Sequence, residues 1–222
     1  MPTDPFIIRR DGALLGVRAQ ATESAEDEAA LLAAVNRFTL RPLTRDEIAV
    51  FTLDLCHNQV DRHFSRFPDA ELERISELVV GRPLMERHDL RGSLPRGTFF
   101  RAQLVRDGAR LSVRAEVYVL RTADNAGFIA NIEGGVYRET SIGFAFRRPE
   151  CSICGEDIRT CPHVPGRDYG GVRCHFVMHE VTEVIEGSVV ASGSQGTQFL
   201  AERRAVWPAT GCRLPRRYWA DE

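Results

Sequence analysis

Residues 98–120 read TFFRAQLVRDGARLSVRAEVYVL, and this stretch decides the fold class. Phe100, Ala102 and Leu104 alternate with polar neighbours before Asp107-Gly108, and Leu111, Val113, Ala115, Val117 and Val119 alternate after it. A period of two puts each apolar set on one face of a strand, and Asp-Gly is the turn chemistry that joins two strands in a hairpin over 98–106 and 110–120. The same period recurs on either side. Phe51, Leu53 and Leu55 oppose Thr52 and Asp54, which predicts a strand over 48–56. Ile142, Phe144 and Phe146 oppose Ser141, Gly143 and Ala145 in a strand over 136–146, and 176–190 reads as one more. Helical signals are fewer. Ser24 with Asp27 caps a helix over 25–36, Pro68-Asp69 opens one over 69–80 that Gly81 stops, and Phe128, Ile129 and Ile132 mark one over 124–133. The expectation is a mainly β (α+β) protein, a closed or nearly closed barrel with peripheral helices.

The chain has 222 residues, 43% hydrophobic and 27% charged, enough apolar content for one core of the larger sort but not for two full domains. Its organisation reads as an N-terminal extension over 1–47, irregular up to about Thr22, and a β domain over 48–200 interrupted by a segment at 149–175. An arginine-bearing tail follows at 201–222. A net charge of -2 argues against a protein that neutralises nucleic-acid phosphates. All 29 basic residues are arginine. Without lysine there is no P-loop, no Schiff base and no Ser–Lys dyad. The first thirty residues hold Asp4, Glu23, Glu26, Asp27 and Glu28 and no long apolar run, so neither a signal peptide nor a membrane span is expected, and the protein reads as intracellular.

Four of the six cysteines, Cys151, Cys154, Cys161 and Cys174, fall within 24 residues. In a chain with no export signal, such clustering reads as metal rather than disulfide. Cys151-Ser-Ile-Cys154-Gly is a knuckle that points two thiolates at one centre. With Cys161, His163 and Cys174 it offers five ligands for four tetrahedral positions, with Cys161 plus His163 competing against His163 plus Cys174. A thiolate-rich site is closed, so the expected zinc is a structural staple for a segment too poor in apolar residues to fold alone.

Three residues outside that segment are suspects for chemistry. Ser141 lies on the polar face of its strand beside Gly143, which leaves room for a substrate backbone to approach. His88 follows the 69–80 helix in a polar stretch. Glu186 is a lone carboxylate in an apolar strand and needs a partner if buried. Each alone has an ordinary explanation as a solvated or structural residue.

The order of a strand with Asp61, the helix from Pro68 to Val80, Gly81-Arg-Pro-Leu84 running to His88, Thr140-Ser-Ile-Gly-Phe144 and Glu186-x-Ser188-x-Val190 resembles the prohead (capsid maturation) serine proteases of tailed phages. Their fold is similar to that of the herpesvirus assemblins. The resemblance covers about Ile48 to Thr197, and the cysteine segment resembles an insertion that a subgroup carries between the serine strand and the Glu-x-Ser strand. It implies that Ser141 is the nucleophile and His88 its general base. It also implies a third group to orient the imidazole, an acid in the phage enzymes where the assemblins use a second histidine. Glu186 is the candidate acid. Asp89 is the weaker one, because adjacent residues on an extended chain point apart. The Ser192–Thr197 loop is the only oxyanion hole on offer. The partners implied are the phage major capsid protein, the scaffold and a second copy of the chain, inside the assembling prohead in the host cytoplasm.

Overall fold

The computed structural model describes residues 25–200 and two short strands before them, β1 (Phe6–Ile8) and β2 (Leu14–Gly16). These two pair antiparallel where irregular chain was expected. Ser24 and the tail over 201–222 lie outside the described residues. Residues 25–200 form one compact unit. Its elements are α1 (Ala25–Val35), β3 (Ile48–His57), β4 (Ser65–Arg66), α2 (Asp69–Leu78), β5 (Pro83–Glu86), β6 (Gly97–Asp107) and β7 (Arg110–Leu120). There follow α3 (Ala123–Glu133), β8 (Glu139–Cys151), β9 (Asp168–Tyr169), β10 (Val172–Arg173) and β11 (Phe176–Val190).

The α+β expectation holds, with one seven-stranded sheet ordered β3-β7-β6-β5-β11, β4 beside one end of β11 and β8 on its other side. The hairpin is β6–β7, closed at Gly108, whose φ of 56° is a conformation glycine adopts without a steric penalty. Strand β8 starts later than predicted and runs on to Cys151. Strand β5 was not expected at all; it lies parallel to β11 through Leu84–Gly187, Met85–Ser188 and Glu86–Val189. Asp61 is not on a strand. It sits in the turn before β4, where Oδ1 accepts the N–H groups of His63 (2.9 Å) and Ser65 (2.8 Å).

Alternation on β7 buries Val113, Ala115, Val117 and Val119 against Leu53, Leu55, Leu72, Ile75, Leu84 and Phe99. On the other face, Phe100 and Tyr118 pack with Val35, Leu43 and Ile48 under α1. Helix α2 is fastened to β11 by the Glu71 carboxylate, which accepts the N–H groups of Glu180 (2.7 Å) and Val181 (2.9 Å), and by Arg74, which donates to the Val181 carbonyl.

A closed barrel is not found. The edge strands β3 and β8 are joined through the segment 197–200 rather than by a ladder of their own. Asp54 N–H donates to the Gln198 carbonyl (3.1 Å) and Leu200 N–H to that of Thr52 (2.8 Å), while Thr140 N–H donates to the Thr197 carbonyl (2.9 Å). Among the described residues no helix is long and apolar enough to cross a membrane.

Candidate active site and metal cluster

The site is built on β8 and β11, which pair antiparallel from Glu139–Val190 to Cys151–Phe176. Val184 pairs with Phe144 and Gly187 with Ile142, both on the core side. Three residues of β11 thus span two of β8, and the bulge between Val184 and Glu186 reverses the phase of the strand. Without it, Glu186 would share a face with Val184. With it, Glu186 and Ser188 turn to the face that carries Ser141 and Gly143. Glu186 pairs with Gly143, and Ser188 with Ser141.

His88 reaches the same face from the end of β5. Its Nδ1 lies 2.5 Å from Glu186 Oε1, and the other carboxylate oxygen, Oε2, accepts the Ser188 hydroxyl at 2.5 Å. Ser188 Oγ in turn accepts the backbone N–H of His88 (3.1 Å), and Arg87 N–H donates to the Val189 carbonyl (2.9 Å). Arg87 and His88 both have positive φ, 59° and 56°, a pair of left-handed non-glycine residues that costs on the order of 1–3 kcal/mol each and must be held by its surroundings. Glu186 and Ser188 are buried, at 1% and 0% exposure, while the His88 side chain is 39% exposed. The hydrogen bond that His88 gives to Glu186 raises the His88 pKa above its ordinary 6.5, against a smaller lowering by burial.

Thus His88 and Glu186 meet, and Ser141 lies two register pairs from Glu186 on the same face, opposite the serine that holds both of them. The Ser141 hydroxyl makes no hydrogen bond to His88. Space over Gly143 is not open to a substrate as predicted: a Cβ there would lie 3.1 Å from Glu186 Cδ and closer still to Oε1, so the carboxylate occupies it. Asp89 does not compete for His88. Its Oδ1 accepts the N–H groups of Gly92 (2.7 Å) and Arg91 (3.2 Å) and shapes the following turn.

Ser141 borders a cavity of about 190 Å³ with Leu55, His63, Phe144, Ser194 and Gln195. Ser194, Gln195 and Thr197 line the same cavity as Ser141, and the Ser192–Thr197 loop is pinned. His57 N–H donates to Gln195 Oε1 (2.9 Å), Gln195 Nε2 to the His57 carbonyl (2.9 Å), Gly193 N–H to Glu139 Oε2 (2.7 Å), and Arg62 to Ser192 Oγ (2.9 Å). His57 Nε2 contacts the Gln195 carbonyl at 3.0 Å while Nδ1 accepts from Gln59 N–H, and burial lowers the pKa of this imidazole. Sequence reasoning missed the roles of Ser188, His57 and Gln195, because their partners lie far away in the chain.

In the cysteine segment, Cys151, Cys154, Cys161 and His163 bring their ligand atoms within 4.8 Å of one another, a set that could hold a metal ion and whose thiolate-rich chemistry suits zinc. Cys174 adjoins it, its Sγ 4.0 Å from that of Cys151. The knuckle forms as read, with Ile153 N–H on Cys151 Sγ (3.4 Å), Gly155 N–H on the Cys151 carbonyl (2.9 Å) and Gly155 left-handed at φ 78°. His163 Nδ1 is buried without a hydrogen-bond partner, as a ring facing an ion would be, and Tyr169 sets the ring edge-on at 4.7 Å.

No known protein family, no curated protein and no solved structure matches this chain.

Proposed function

We propose that the protein is a serine endopeptidase of the prohead-maturation kind, with Ser141 as nucleophile, His88 as general base and Glu186 as the orienting acid. The observation that carries this reading is the His88–Glu186 pair, buried at its acid end on the strand face that bears Ser141. With Nδ1 donating to Glu186, the neutral imidazole keeps its Nε2 lone pair for the Ser141 proton. Attack of Ser141 Oγ on a peptide carbonyl then leaves an imidazolium whose charge Glu186 stabilises. The pinned 192–197 loop beside Ser141 is the candidate donor of N–H groups to the oxyanion. The substrates would be scaffold and capsid protein and the chain itself, inside the assembling prohead. The zinc would staple the 149–175 segment and take no part in the chemistry.

The test is co-expression with the major capsid protein that the reading implies as substrate. Wild type should shorten the capsid protein, and Ser141→Ala and His88→Ala should each abolish the shortening, with the double variant little worse than either. Processing that survives Ser141→Ala but is lost with the cysteines would overturn the reading and move the chemistry to the metal. A second reading, a catalytically inactive zinc-stapled protein that binds scaffold or capsid, is favoured by the missing Ser141–His88 hydrogen bond. It requires that wild type leave the capsid protein uncut.

A further inference from the structure

We infer that Ser188 is a positioning residue, one hydroxyl that sets both the acid and the backbone of the base, and so selects the imidazole tautomer able to take the Ser141 proton. This rests on the protease reading for its consequence but not for its geometry. Ser188 Oγ has two neighbours. The first is His88 N–H, which donates at 3.1 Å and can do nothing else. The hydroxyl proton is thereby committed to the second, Glu186 Oε2, at 2.5 Å. Glu186 then accepts at Oε2, and its carboxylate form is left to accept the Nδ1 proton of His88 at Oε1. The proton sits on Nδ1, and Nε2 is bare.

The same hydroxyl also acts on geometry. Nothing in the sequence spacing forces Arg87 and His88 into left-handed backbone, which non-glycine residues avoid. The bonds that hold them there come from β11, from the Val189 carbonyl to Arg87 and from Ser188 Oγ to His88. Residues 186 and 188 project from the same face two positions apart. One strand thus carries the acid and, one step on, the clamp that aims the base at it. Ser188 is wholly buried, so no water can replace its hydroxyl without rearrangement.

The experiment pairs a spectroscopic readout with a chemical one. Nitrogen-15 NMR of the His88 ring above its titration identifies the protonated nitrogen, and diisopropyl fluorophosphate, which phosphorylates an activated serine with loss of fluoride, reports the rate at Ser141. Wild type should show the Nδ1–H tautomer. Ser188→Ala should shift the ring toward Nε2–H and slow Ser141 modification by about 10- to 100-fold. Ser188→Thr, which keeps the hydroxyl, should restore both. Ser188→Cys, of similar volume but a weak donor, is the second variant if the alanine form does not fold, with the same shift and slowing expected. A folded Ser188→Ala or Ser188→Cys with wild-type tautomer and wild-type rate overturns the inference. A wild-type chain inert to the probe, with the tautomer shift still produced by Ser188→Ala, would sink the protease reading while leaving the role of Ser188 standing.

Discussion

Gly143→Ala is the sharpest perturbation of the candidate site, because it adds one methyl group and replaces no proposed participant. Gly143 is in a strand with no positive φ, so backbone strain does not enter, and alanine in a strand gains about 0.5–1 kcal/mol over glycine. The cost is local. The new Cβ would stand well inside the 3.0 Å that real Cβ atoms respect from Glu186 Oε1, and 3.1 Å from Cδ. The carboxylate must retreat by roughly 1 Å to reach ordinary contact. If it retreats from His88, the 2.5 Å Nδ1···Oε1 contact lengthens past hydrogen-bonding range. Loss of a hydrogen bond to a charged group costs about 1.5–3 kcal/mol, which leaves a net destabilisation of about 1–2 kcal/mol in a protein that still folds. The rate should suffer far more, by about 10²- to 10⁴-fold, the usual share of a positioned general base. Thermal unfolding and the labelling rate of Ser141 measure the two effects separately. Wild-type labelling in Gly143→Ala would refute the placement of Glu186 against the base, since the methyl group and the carboxylate cannot share that space.

The raised pKa of His88 sets the direction of the pH profile. In the proposed role His88 works neutral, so the acid limb of the rate should lie above 6.5, and Glu186→Gln, which replaces the ionised acceptor with a neutral amide, should move that limb down and cost less rate than His88→Ala. For the metal, purified protein should carry one zinc by elemental analysis. His163→Ala and Cys154→Ser should lose it while Cys174→Ser keeps it. The opposite result for His163 and Cys174 would shift the ion toward the Cys151–Cys174 side of the cluster. Chelation should lower the unfolding temperature, because ligand binding to the folded segment is folding free energy.

The hairpin and the phase of β8 were legible because period-two alternation and an Asp-Gly turn are local signals, and Val113, Ala115, Val117 and Val119 are buried as read. The knuckle was legible for the same reason. Strand β5 was not, since Pro83–Glu86 is too short to show a period and exists only because β11 and β6 flank it. The bulge was the costliest omission. Strict alternation from Val184 would send Glu186 into the core, and no local feature announces that Ile185 is the extra residue. The partners of Ser188 and His57 were hidden by distance, one hundred residues in the first case and 138 in the second.

The position of the cysteine segment explains how it lies between Ser141 and Glu186 in the chain without parting them. Ser141 and Cys151 lie on one strand, ten residues apart, which at the usual rise is about 33 Å of chain. The bulges of the ladder are on β11, so β8 carries no extra residue between the serine and the first ligand. The insertion therefore leaves the hairpin at its far end and does not cap His88 or Glu186. Its contact with the site is indirect. Phe176 N–H donates to the Phe64 carbonyl (2.9 Å), and Gly166, left-handed at φ 87°, lies so close to the Phe64 ring that a Cβ would fall 2.6 Å from it. Phe64 is itself left-handed at φ 58°, between His63 and Ser65, both of which line the cavity beside Ser141. An ordered cysteine segment thus holds one wall of that cavity in a strained conformation. Metal loss should loosen this wall and leave the His88–Glu186 pair intact.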